Sequence, residues 1–190
     1  YEDALGTYLV KLSGQKLSYR DNTEAAKLLF MIGEFERIAD YAKDIADSAK
    51  EMYEKKINFS EPAQKELEVM MAAVDEVVEL AIRSFCENNI ELAKKVDPLE
   101  EVIDDLKDAL KKGHISRLQC NECTIELGFV FSDLITVLER VSDHCSNIAG
   151  AVIEISRDSL NMHAYLHQYK HEPSNEFIEQ YKEYSKKYAI

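Results

Sequence analysis

The 190-residue chain has no tryptophan, six glycines, three prolines and four cysteines. So little glycine and proline leaves scant material for the tight turns of a β-sandwich or barrel. The four cysteines are too few for a disulfide scaffold at this length, and their sparseness fits a reducing compartment. No uncharged run approaches the ~20 apolar residues needed to cross a bilayer, so the segment is expected to be soluble. Positive charge is also short: 23 Lys and Arg stand against 36 Asp and Glu, a formal net charge of −13. That sign repels phosphate backbones and anionic lipid, which argues against a nucleic-acid partner and against direct lipid insertion. What such a surface attracts is cations. The chain opens on Tyr1 inside a helical pattern, with no signal peptide, and reads as a piece of a longer protein.

Apolar residues, 46% of the chain, recur at helical spacing through nearly every segment. Residues 1–12 read as a helix. Asp21 or Asn22 is the expected cap of a long second helix, with an apolar stripe of Leu28, Met31, Ile32, Phe35, Ile38, Ala42, Ile45, Ala49 and Met52. Ser60 and Pro62 mark the start of a third, which stops near Asn88. Asp97-Pro98-Leu99-Glu100 reads as another start with Asp97 as cap, after either a short helix over 90–96 or a kink in one longer helix. Lys111-Lys112-Gly113 reads as its close. A long helix follows from Thr124 to about Ser156, then two shorter ones over 159–169 and 174–188. No strand pattern competes. The expected fold is all-α, an antiparallel helical bundle with additional C-terminal helices.

The long helices repeat. Phe35-Glu36-Arg37-Ile38-Ala39-Asp40 with Ile45-Ala46 matches Leu138-Glu139-Arg140-Val141-Ser142-Asp143 with Ile148-Ala149 at an offset of 103. Asp3-Ala4-Leu5 matches Asp108-Ala109-Leu110 at 105. Two similar bundle halves are expected, 1–56 and 57–157, with 158–190 as a helical tail. The first half is incomplete: the counterpart of Asp104 would fall just before Tyr1, along with a helix equivalent to 61–86.

The repeated chemistry is Glu-x-x-x-Asp. Residues four apart share a helix face, so Glu36/Asp40 and Glu139/Asp143 each present two carboxylates side by side, a repulsive arrangement that a bound cation would offset. The helix at 97–105 offers partners in Asp97, Glu100, Glu101, Asp104 and Asp105. Glu139, Asp143 and this helix are expected to converge on one cation, and all-oxygen ligands suit Mg, Mn or iron. Helical-wheel placement beside Ala39 and Ala46 puts Glu36 and Asp40 at the edge of the apolar stripe, which predicts a metal on the bundle surface. Solvated outer-face acids and ordinary helix pairing through Arg37 or Arg140 are the plainer account of any single motif.

At these residues the chain resembles the PhoU family, whose two repeats each carry a Glu-Arg-Ile-Gly-Asp-like motif and an Asn-Ile-Ala-like tail. Here they read Glu36–Asp40 with Asp44-Ile45-Ala46, and Glu139–Asp143 with Asn147-Ile148-Ala149. The family's Glu-Glu-Ile-Asp-x-Leu-like stretch is matched by Glu101-Val102-Ile103-Asp104-Asp105-Leu106. The segments 3–12 and 124–149 resemble the cytosolic carboxyl-terminal PhoU-like domain of bacterial sodium/phosphate cotransporter-like proteins. The resemblance implies two three-helix bundles and sites for multinuclear iron or another divalent metal (Mn, Zn or Mg) at Glu139, Asp143, Glu100, Glu101, Asp104, Glu36 and Asp40. It further implies a regulatory, non-enzymatic role in phosphate homeostasis, at the cytoplasmic face of the cell membrane. The expected partner is the transporter domain of the same polypeptide, with homodimerisation a further option. Two departures stand out: the family glycine is Ala39 in one motif and Ser142 in the other.

Other features carry less. Cys120-Asn121-Glu122-Cys123 is a lone CxxC whose zinc or redox use would need partners such as His114 or Cys145; otherwise it is a loop before a helix cap. His163, His167 and His171 share a helical face suited to a metal or pH-sensitive patch, or simply to an exposed tail helix. Tyr165, Tyr169, Tyr181, Tyr184 and Tyr188 are expected to pack the tail onto the bundle. The absence of Glu-x-x-His argues against a ferritin-like di-iron oxidase, and no phosphate loop or nucleophile elbow occurs. A carboxylate-bridged metal oxidoreductase and a metal-free helical adaptor remain as alternatives to the regulatory module.

Overall fold

The computed structural model describes residues 1–156 and 174–190. Its helices are α1 (Glu2–Ser13), α2 (Tyr19–Lys55), α3 (Glu61–Cys86), α4 (Ile90–Ala93), α5 (Val96–Gln119), α6 (Ile125–Ser156) and α7 (Asn175–Lys187). No strand occurs among the described residues, and the all-α bundle is what the periodicity predicts. Helix α6 is the central rod, packed against α2, α3 and α5; α3 also lies on α5, α7 on α5, and α1 on α2. The apolar stripes meet in one core, where Met31, Met70, Val77, Leu99, Ile103 and Ile135 are 0–2% exposed. Among the described residues no helix is long and apolar enough to cross a membrane.

Several boundaries differ from the sequence expectation, each for a local reason. Helix α2 starts ahead of Asp21 because Ser18 is the cap: its Oγ accepts the Asp21 N–H at 3.2 Å while donating to Asp21 Oδ2 at 2.7 Å. Asp21 thus sits inside the first turn, where its N–H is capped and its carboxylate holds the Ser18 hydroxyl. Further along α2, Ala42 and Ala49 are exposed and Tyr41 and Ser48 half-buried in their place. A period of 3.6 residues drifts by about one position over so long a helix. Of the two readings of 90–96, the separate short helix holds: Asn89 Oδ1 accepts the N–H groups of Glu91 and Leu92 at 3.1 and 3.3 Å.

Asp97 is not the cap of α5, which begins at Val96; its carboxylate instead accepts the Ser146 hydroxyl at 2.7 Å. Nor does α5 stop at Gly113. A Cβ there would lie 3.1 Å from Glu66 Oε1 and 3.4 Å from Arg117 Nη1. The glycine clears space for the forked Arg117–Glu66 pair, whose two N–H···O distances are 2.7 and 2.8 Å. The helix ends instead at Cys120, where Asn121 turns left-handed with φ 57° and its N–H donates to the Leu118 carbonyl.

Helix α7 is capped by Ser174, whose Oγ accepts the Phe177 N–H at 3.1 Å. Tyr181 donates to Asp105 Oδ2 at 2.5 Å, Lys187 to Glu76 Oε2 at 2.7 Å, and Tyr188, 7% exposed, also donates to Glu76. Burial pushes the Tyr184 hydroxyl up to about 12. These three tyrosines pack the tail as expected. The expected helix over 159–169, with Tyr165, Tyr169 and the histidines 163, 167 and 171, lies outside the described residues.

Candidate metal centre

Helices α5 and α6 form an antiparallel hairpin around the turn at 120–124, so the acidic first half of α5 lies along the second half of α6. Glu100 and Asp104, one turn apart on α5, meet Asp143 of α6, with one carboxylate oxygen from each within 4.8 Å of the others. Two oxygens on opposite sides of one hard cation stand roughly 4–5 Å apart at M–O distances of about 2.0–2.6 Å, so this span suits a single ion. The donor set is carboxylate throughout, without histidine or cysteine. That matches Mg, Mn or iron better than zinc.

The site is more enclosed than a surface position. Glu100 is 3% exposed and Asp104 and Asp143 are half-buried, because α5 covers this edge of α6. Asp104 Oδ1 is buried with no hydrogen-bond partner. Burial, then the charges of Glu139 and Asp143, push the Asp104 carboxyl up to about 6, with Lys107 opposing in part. A buried carboxylate oxygen without a donor, its proton affinity raised by burial and by neighbouring acids, is a group that either a proton or a cation would relieve.

Glu139 stands beside this trio but faces a different partner: its Oε1 is 2.6 Å from Lys107 Nζ. Glu101 is half-buried and adds its charge to Asp104 without joining the trio. Glu36 and Asp40 lie apart from all of these, on α2 facing α1. The charge of Asp40 chiefly, then a hydrogen bond between the two, burial and Glu2 raise the Glu36 carboxyl above its usual range. Beside Glu36 is a cavity of about 480 Å³ lined by Tyr1, Glu2, Leu5, Ile32 and Phe35. The two repeated motifs thus occupy separate places: the second meets the acidic first half of α5, and the first meets the acidic first turn of α1 without forming, among the described residues, a group close enough to hold a metal.

One polar cluster escaped the sequence reading. Glu34, 4% exposed, reaches across from α2 to α6, where its Oε2 is 2.8 Å from His144 Nδ1 and accepts the Asn147 amide at 2.8 Å. A carboxylate acceptor requires His144 to carry a proton on Nδ1. Tyr41 stacks on the same ring at 5.6 Å between centroids. The signal was available: Glu34 falls between Met31 and Ile38 on the apolar stripe, where a charge is out of place.

The zinc option at the CxxC finds no support. Cys145 is 0% exposed in the core, with burial pushing its thiol up to about 12. His114, whose pKa burial and Arg117 lower, packs against Phe131 with ring centroids 5.3 Å apart. Among the described residues, the Glu100–Asp104–Asp143 trio is the only His, Cys, Asp and Glu grouping close enough to hold a metal.

Fold and site together define a class: an all-α bundle with i, i+4 carboxylates gathered between two helices. Residues 67–152, spanning α3 to nearly the end of α6, match the PhoU domain, and the chain is accordingly a PhoU-family protein. It is 30% identical over 139 residues to the phosphate-specific transport system accessory protein PhoU homolog 1 of Thermotoga maritima, an alignment covering 73% of this chain and 59% of that protein. The chain therefore spans little more than half of that relative. The first motif, Glu36–Asp40, lies outside the matched domain. No solved structure matches the chain.

Proposed function

We propose that this chain is a PhoU-like regulatory domain of a sodium-dependent phosphate transporter, carried on the same polypeptide at the cytoplasmic face of the membrane and binding a divalent metal between α5 and α6. The PhoU domain and the relative named for phosphate-specific transport support the regulatory role. The observation behind the metal is the meeting of Glu100, Asp104 and Asp143 within 4.8 Å. Those residues would hold iron or another divalent ion of the Mg or Mn kind, which would supply positive charge to a seam of mutually repelling acids. The protein's part is positional: α5 and α6 deliver the oxygens pre-assembled, and Glu100, buried at the seam, keeps bulk water from screening them.

Elemental analysis of the purified chain against an Asp104→Asn/Asp143→Asn variant tests the metal reading. Near-stoichiometric metal in the first and little in the second is the expected outcome; equal content in both rejects it. Deleting the domain from its parent transporter should change regulated phosphate uptake, and unaltered uptake would count against the regulatory role.

A further inference from the structure

The carboxylate seam carries a cation of its own, and the internal repeat shows that the hairpin does not demand it. Lys107 Nζ lies 2.6 Å from Glu139 Oε1, with the two side chains 27% and 15% exposed. Both also act on Asp104, one lowering and the other raising its proton affinity, so they border the metal trio. In the α1–α2 hairpin the offset of 105 places Glu2 where Lys107 stands, and there Glu36 meets a further negative charge. The sequence-matched position of the first hairpin thus carries the opposite sign. Lysine is a property of the α5–α6 seam.

We propose that Lys107 fills the place of a second metal ion at the Glu139 end of the seam, so that the centre takes one divalent cation on Glu100, Asp104 and Asp143. This rests on the metal reading above. Glu100, Asp104, Glu139 and Asp143 as carboxylates carry enough negative charge for two divalent ions. The two ions of such a site stand about 3.5–4 Å apart and share bridging oxygens. The ammonium already occupies the side of Glu139 such an ion would need, neutralises that carboxylate and repels divalent charge nearby. Lys107 therefore limits nuclearity and weakens affinity, by holding Glu139 out of the coordination shell.

The test is a calorimetric Mn²⁺ titration of the whole 190-residue chain, with electron paramagnetic resonance to report coupled ions. Wild type and Lys107→Arg should each take up one Mn²⁺. Lys107→Met should bind at least tenfold tighter, equal to about 1.4 kcal/mol, and show a second, spin-coupled ion. Adding Glu139→Gln to that variant should remove the second ion and return the affinity to within about threefold of wild type. Far-UV circular dichroism checks the helical fold of each, and Lys107→Gln replaces the methionine variant if that one misfolds. A folded neutral variant that binds one Mn²⁺ no tighter than wild type, or a double variant that keeps the gain, overturns the assignment of Lys107 while leaving the metal site standing. Mn²⁺ uptake by neither wild type nor any Lys107 variant brings down both.

Discussion

Replacing Asp104 with asparagine should stabilise the metal-free protein at neutral pH while abolishing its response to metal. The reason is the company Asp104 keeps. Burial and the charges of Glu139 and Asp143 raise its carboxyl from the ordinary 3.8 to about 6 in the folded chain. The folded state therefore holds this proton more tightly than the unfolded one. The resulting stability is complete below about pH 3.8 and lost as pH rises through about 6. At pH 7.5 the ionised group opposes folding. The shift from 3.8 to about 6 corresponds to about 3 kcal/mol, which solvent screening of a partly exposed carboxylate reduces to about 1–2 kcal/mol. Asparagine is nearly the same size and carries no charge, so most of that penalty disappears. Urea unfolding in EDTA should place Asp104→Asn about 1 kcal/mol above wild type at pH 7.5, with the difference vanishing near pH 4. Added Mn²⁺ should then raise the wild-type midpoint and leave the variant where it was. A variant less stable than wild type in EDTA at pH 7.5, or one stabilised equally by Mn²⁺, would refute the reasoning.

Other substitutions probe the frame around the seam. Glu34→Ala strands the His144 Nδ1–H and the Asn147 amide in a buried interface and should lower stability by about 2–4 kcal/mol in urea unfolding, with Glu34→Gln milder. Gly128→Ala should lose about 1–2 kcal/mol despite alanine's better helix propensity: its Cβ would sit 2.7 Å from Nε2 of His114, a ring held against Phe131, so a neutral or stabilised variant would contradict the packing. Glu76→Ala removes the acceptor shared by Lys187 and Tyr188, and limited proteolysis should then release α7 while the midpoint of the remaining core moves by less than about 1 kcal/mol.

The fold was legible because apolar spacing of three and four residues dominates every long segment and nothing competes with it. Boundaries were less so, since residues that look like punctuation were recruited for tertiary contacts. Gly113 resembles a helix terminator yet serves the Arg117–Glu66 fork, and Asp97 resembles a cap yet accepts from Ser146. Both partners lie about 50 residues away in sequence, where no local rule reaches. The carboxylate seam was half legible. Spacing of four places Glu100 with Asp104 and Glu139 with Asp143, but it says nothing of the lateral shift between antiparallel helices. That shift sets Asp143 against Glu100 and Asp104, and gives Glu139 to Lys107.

The same register explains why the second motif differs from the first in more than its partner helix. Asp143 and His144 are consecutive on α6, about 100° apart around its axis. Asp143 faces α5 and the candidate metal, while His144 faces α2 and Glu34. One turn on, Ser146 binds Asp97 of α5 and Asn147 binds Glu34 of α2, repeating the division. Ser142, 0% exposed, keeps the intervening turn slender and donates its hydroxyl to the Glu139 carbonyl at 2.6 Å. This stretch of α6 therefore cannot rotate or slide to suit an ion at Asp143 without straining the Glu34 contacts with the other half of the repeat. The corresponding stretch of α2 is held less tightly: Tyr41, the counterpart of His144, stacks on the His144 ring and Glu36 faces α1, while Ala39 and Asp40 are exposed. Charge placed at the α5–α6 seam is thus mechanically tied to the packing of α2 against α6.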